Sequence, residues 1–205
     1  MLHPDSWLIR FLTRVCDLLF LNLALVLSCC TVVLSGAAVT ALYSITLKMM
    51  RGQDCDPIKG FLRGLRENFL TSSPATVLLF ADVTLLTLLR STLCATALLM
   101  PPAAFVLLAI IAVFLTALLS YLFPLLARYE NAFSRHLGNA VRLALANLPV
   151  TILITAVNFL PLLICFLIPA ALGVVFAFWL LFGFAAGAWI NSFYLNQIFE
   201  SREDG

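Results

Sequence analysis

The chain has 205 residues, of which 63% are hydrophobic and 11% charged, against about 45–50% and about 25% in soluble domains. That balance excludes an ordinary soluble fold, leaves no room for a soluble catalytic domain, and specifies a single integral membrane domain over residues 1–205, with halves of about 1–100 and 101–205. The net charge of +2 decides little, because in a membrane protein the placement of lysine and arginine sets the topology.

The N-terminus places Arg10 and Arg14 before an apolar run, as a secretory signal does, but Asp17 and Asn22 interrupt it and no small-x-small cleavage site follows. It is read as retained. From Leu18 to Met50 there is no charge before Lys48. A single helix of about 30 residues would be about 45 Å long against a hydrocarbon core of about 30 Å, and two crossings want about 40 residues. Thr31 to Gly36 is rich in small, turn-tolerant residues, with Ser35-Gly36 placed to cap a second helix. Gly36, Ala37, Ala38, Thr40 and Ala41 suit close helix packing in a membrane. A hairpin with a centrally packed second arm is the expectation.

Lys48 to Ser73 is polar. Asp56-Pro57 is a helix start, with the carboxylate as N-cap and proline at the first helical position. Ile58, Phe61, Leu62, Leu65 and Phe69 then form one apolar stripe, with Lys59, Arg63 and Arg66 off it. Such a helix lies on the membrane surface or against partner helices. Apolar stretches follow at Pro74 to about Ala97, bounded by Met100 to Pro102, and at Ala103 to Ala127. After a second polar segment with Arg128, Arg135, His136 and Arg142, the block Leu148 to Phe199 folds back near Pro169 and Gly173 into Pro149–Ile168 and Ala171–Ile198.

If the first apolar run goes in and back out, eleven of the twelve basic residues share one side and Arg90 alone lies opposite. The positive-inside bias then gives an all-α polytopic bundle of about six membrane segments, including a tight N-terminal hairpin, with cytoplasmic amphipathic elbow helices and both termini cytoplasmic. A weak repeat supports a two-part architecture. Arg63 precedes Asn68 by the spacing that separates Arg142 from Asn147, each just before a span, while the spacing to Pro74 and Pro149 differs.

The combination of Leu21-Asn22, the small-residue step Ala37 to Tyr43, the basic segment Phe61 to Phe69 and "YLFPLLARY" at Tyr121 to Tyr129 resembles the YesL-like family of bacterial membrane proteins, whose shared domain is labelled domain of unknown function 624. The resemblance extends over nearly the whole chain. One departure is Cys29-Cys30 before Thr31, where the family usually has a proline. The resemblance implies a Gram-positive plasma-membrane protein often encoded near carbohydrate transporters, and no established activity.

Ionisable residues inside a span default to functional hypotheses. Asp82 and Arg90 share one apolar stretch but stand about 80° and about 12 Å apart on a helix, too far to pair. Asp82 then needs a hydroxyl, amide or basic partner. Asn22, Asn158 and Asn191 are placed to bridge helices. Arg63, Arg66, Asn68, Arg142 and Asn147 are candidate partner-docking or lipid-contacting residues. The six cysteines, Cys16, Cys29, Cys30, Cys55, Cys94 and Cys165, have no metal-like spacing and read as small packing residues. No catalytic motif is present, and His3 and His136 have no carboxylate cluster. No catalytic, cofactor or metal site is expected. The expected function is that of a non-enzymatic accessory or assembly partner of a carbohydrate transport system, with the lipid bilayer and permease subunits as partners and no nucleic acid. The alternative is a small-solute transporter with its site near Asp82.

Overall fold

A computed structural model describes residues 7–53, 56–94, 101–168, 170 and 172–203. His3, Cys55, Met100 and Pro169 lie outside the described residues, as do the side chains of Arg10, Cys94, Cys165 and Arg202. The described chain is helical: α1 Trp7–Cys29, α2 Ser35–Met50, α3 Pro57–Glu67, α4 Phe69–Cys94, α5 Pro102–Arg128, α6 Phe133–Ala146, α7 Leu148–Leu167, α8 Leu172–Phe178 and α9 Phe184–Glu203. A π-helical turn, Trp179–Gly183, joins α8 to α9. Among the described residues, five spans are long and apolar enough to cross a membrane: Phe11–Cys29, Val32–Met50, Phe69–Thr92, Pro102–Arg128 and Leu172–Glu200. The pair α6–α7, bent by 105°, brings the number to six if it forms one broken span.

The hairpin fits because α1 begins at Trp7, eleven residues before the charge-free run. Its arms are Phe11–Cys29 and Val32–Met50, each 19 residues, close to the about 20 a crossing needs. The first arm accommodates Arg14 by lending its guanidinium to the end of the second, where Nη1 donates to the Met49 carbonyl at 3.4 Å. Ser35 does not cap α2. Its hydroxyl donates to the Val32 carbonyl at 2.8 Å, and a short 3-10 turn, Val32–Leu34, makes the bend that proline would otherwise force. α2 ends in a Schellman arrangement: Gln53 N–H donates to the Lys48 carbonyl, Gly52 N–H to that of Met49, and Gly52 takes φ +67.

α2 is the central helix. Gly36, Ala37, Ala38, Thr40 and Ala41 are all buried, and the small faces let neighbours approach closely. α3 runs antiparallel along it, Gly60 against Ile45 and Gly64 against Ala41. Asp56 caps α3, accepting from Ile58 N–H at 3.1 Å and Lys59 N–H at 3.3 Å, and these amides, Lys59 first, hold its carboxyl below the usual range. The apolar stripe of α3 is divided: Phe61 is buried in the bundle, while Ile58 and Leu62 stay exposed. Pro74 does not open a helix, because α4 has already started at Phe69.

α2 and α5 end at the same end of the bundle as α9. Thr46 Oγ1 bonds Ser192 Oγ at 2.8 Å, and Arg128 Nη1 donates to Asn196 Oδ1 at 3.2 Å. The two elbows are therefore related by a parallel repeat. Arg63 and Arg142, Asn68 and Asn147, Ser72 and Thr151, and Thr76 and Thr155 are each 79 residues apart. The same offset pairs the buried residues Phe61 with Ala140, Gly64 with Leu143 and Ala75 with Ile154. The local geometry repeats as well. Asn68 Nδ2 donates to the Gly64 carbonyl at 2.8 Å and Asn147 Nδ2 to that of Leu143 at 3.1 Å. Ser72 and Thr151 hydroxyls donate back to the Asn68 and Asn147 carbonyls. Each asparagine thus closes an elbow helix while its carbonyl anchors the first turn of the next helix.

Candidate intramembrane polar site

A chain of polar side chains crosses the apolar core. Asp82 of α4 is buried and accepts from Thr116 Oγ1 of α5 at 3.0 and 3.2 Å. One turn on, Ser120 Oγ donates to the Thr116 carbonyl at 2.7 Å and accepts from Asn158 Nδ2 of α7 at 2.8 Å. Asn191 of α9 continues the chain, donating to Asn158 Oδ1 and to the Tyr43 hydroxyl of α2, both at 3.2 Å. Five helices are thereby joined. Ser120 is about 12 Å along α5 from Arg128 and about 27 Å from Pro102 at 1.5 Å per residue, so the chain lies toward the basic end. Asn191 Oδ1 has no partner among the described residues, and turning the amide over would leave its nitrogen unpaired instead.

Asn22 belongs to a separate cluster. Fully buried on α1, its Nδ2 donates to the carbonyls of Trp179 at 3.1 Å and Leu180 at 2.7 Å, and its Oδ1 accepts from Ala185 N–H at 2.9 Å. The π-helical turn shifts the regular backbone ladder there, and in a bilayer such groups need a partner within the protein.

Arg90 is exposed toward the end of α4, and no ion pair joins it to Asp82 among the described residues. Arg63 and Arg66 are exposed on α3, with Arg63 Nε held by Glu67 Oε1 at 2.7 Å. Arg142 is exposed on α6. Asn68 and Asn147 are helix caps. The structure thus brings Asp82 together with two of the three bridging asparagines and sets the basic residues apart from them. Thr116 and Ser120 were not singled out by sequence, and Tyr43 only as the end of the Ala37–Tyr43 step. Cys16, Cys29 and Cys30 correct the packing expectation: all three are exposed on the bundle surface as free thiols. Among the described residues no cluster of histidine, cysteine, aspartate or glutamate is arranged to hold a metal.

No curated protein and no solved structure matches the chain. Residues 18–89 hold three of the four motifs that suggested a family, Leu21-Asn22, Ala37–Tyr43 and Phe61–Phe69, while Tyr121–Tyr129 lies beyond them. It is over these residues, 18–89, that the chain matches the family described as "Protein of unknown function, DUF624".

Proposed function

We propose that this protein is a non-enzymatic, multi-pass protein of the bacterial plasma membrane, with both termini cytoplasmic, that serves as an accessory or assembly partner of a carbohydrate transport system. The supporting observation is the pair of related elbows, which offer Arg63 and Arg66 on one and Arg135 and Arg142 on the other as exposed side chains. Exposed arginines of this kind suit docking to acidic protein surfaces and anionic headgroups. The carbohydrate assignment rests on the family resemblance alone. Affinity purification in mild detergent after cross-linking should recover transporter permease subunits, and combined Arg63→Glu and Arg142→Glu should lower that recovery. Isolation of the protein alone under cross-linking would count against the reading.

A second reading, a small-solute transporter, is favoured by Asp82, a buried carboxylate bonded to one hydroxyl at the head of the polar chain. Asp82→Asn should then abolish uptake with expression unchanged. Unchanged uptake would remove it.

A further inference from the structure

We propose that the second elbow carries a binding site for a phosphate group, in the cleft of about 280 Å³ beside α6 that is lined by Tyr129, Asn131, His136, Asn139 and Arg142. Leu125, Leu143 and Phe199 complete its walls, and among the described residues no carboxylate lines it. The walls are braced, since the Arg128 guanidinium lies over the rings of both Tyr129 and Phe199 at 5.6 and 5.2 Å, and those rings meet edge to face.

Two independent observations point to an occupant. The first is His136, only 1% exposed, neither of whose ring nitrogens makes a well-formed hydrogen bond among the described residues. A buried polar atom left unpaired is expensive and calls for a partner. Burial favours the neutral ring, and the Asn131 main chain opposes it by favouring the charged ring. A neutral imidazole offers one N–H donor and one acceptor.

The second observation is internal to the chain. At the first elbow Arg63 is paired with Glu67, both side chains remaining exposed. Displaced by the repeat offset, Glu67 becomes Ala146, Gly60 becomes Asn139 and Pro57 becomes His136. The second elbow therefore lacks the acid that pairs with the first elbow's arginine, and has a carboxamide and an imidazole on the same helix instead. A guanidinium fork, two carboxamides and an imidazole N–H around one positive charge complement the three acceptor oxygens of a phosphate. The phosphate can belong to a lipid headgroup or to a soluble phosphate ester, which present the same oxygens.

The chain has only two histidines, His3 and His136, so ring-¹⁵N-histidine NMR of the full-length protein reads the site directly, with His136→Gln assigning the signals. One arm titrates inorganic phosphate in non-ionic detergent at fixed pH, with sodium chloride at equal ionic strength as the reference. The other compares nanodiscs of phosphatidylcholine alone with phosphatidylcholine doped with phosphatidic acid, in phosphate-free buffer. A saturable shift of the His136 signals in the first arm assigns a soluble phosphate, and a shift confined to the second assigns a headgroup. In either case Arg142→Gln, at an exposed position, should weaken the response roughly tenfold or more, the loss expected for a charged hydrogen bond. Unmoved His136 signals in both arms, or a response that Arg142→Gln leaves intact, would overturn the site.

Discussion

Replacing Asn22 by leucine tests how the bundle tolerates a π-helical turn. The side chain makes three bonds to the backbone of the α8–α9 segment, two through Nδ2 and one through Oδ1. Interhelical bonds in membranes contribute about 0.6 to 2 kcal/mol each, so the set amounts to roughly 2–6 kcal/mol. Counting instead what the substitution leaves behind, at least one carbonyl and one N–H lose a partner in a dry core, at about 1–3 kcal/mol each. The two estimates agree. Trp179 sits in the turn and Trp189 on α9, so tryptophan emission during unfolding in mixed dodecyl sulfate micelles reports the transition. Asn22→Leu should shift it by that amount, whereas Leu23→Ala, at a partly exposed neighbour, should stay nearer wild type. A wild-type transition for Asn22→Leu, within about 0.5 kcal/mol, would refute the claim that Asn22 satisfies the turn.

Gly36→Ala should destabilise by about 1–3 kcal/mol, because a Cβ there collides with Thr76 Oγ1 and stands 3.0 Å from the Ser72 carbonyl. Gly187→Ala, with nothing within 4 Å of its Cβ, should be neutral or stabilising by about 0.5–1 kcal/mol in the same assay. His136 has its pKa lowered chiefly by burial, so on acidification through about 6.5 the unfolded chain takes up a proton that the folded chain resists. Stability should accordingly fall as pH drops below that value, with a shallower slope in His136→Gln when unfolding is followed against pH.

The architecture was legible in the sequence because hydropathy and basic residues are both distributed along the chain. The hairpin start was not. Arg14 and Asp17 break the apolar run, and only the packed structure shows that Arg14 lies beside the end of α2, where its charge is met by the Met49 carbonyl. Asn22, Asn158 and Asn191 were readable as bridges, since an amide in lipid must find a partner. Their partners were not, because the backbone that Asn22 meets lies more than 150 residues away. Thr116 and Ser120 carried no signal, as hydroxyls in spans commonly bond their own helix, and Ser120 does so while also serving Asn158. The exposed cysteines were misplaced because lipid and protein core are equally apolar surroundings. The elbow repeat was visible at two residues and became extensive only once burial and capping bonds could be compared at one offset.

The most direct test of the arrangement is labelling with a membrane-impermeant thiol reagent, in a chain whose six native cysteines have been replaced. Single cysteines at Val33, in the hairpin turn, and at Gln53 and Glu130, before the two elbows, are all at exposed positions. Val33→Cys should label in intact cells, and Gln53→Cys and Glu130→Cys only after permeabilisation. Labelling of Gln53→Cys or Glu130→Cys in intact cells, or of the two on opposite sides, would contradict a bundle whose elbows share the cytoplasmic face.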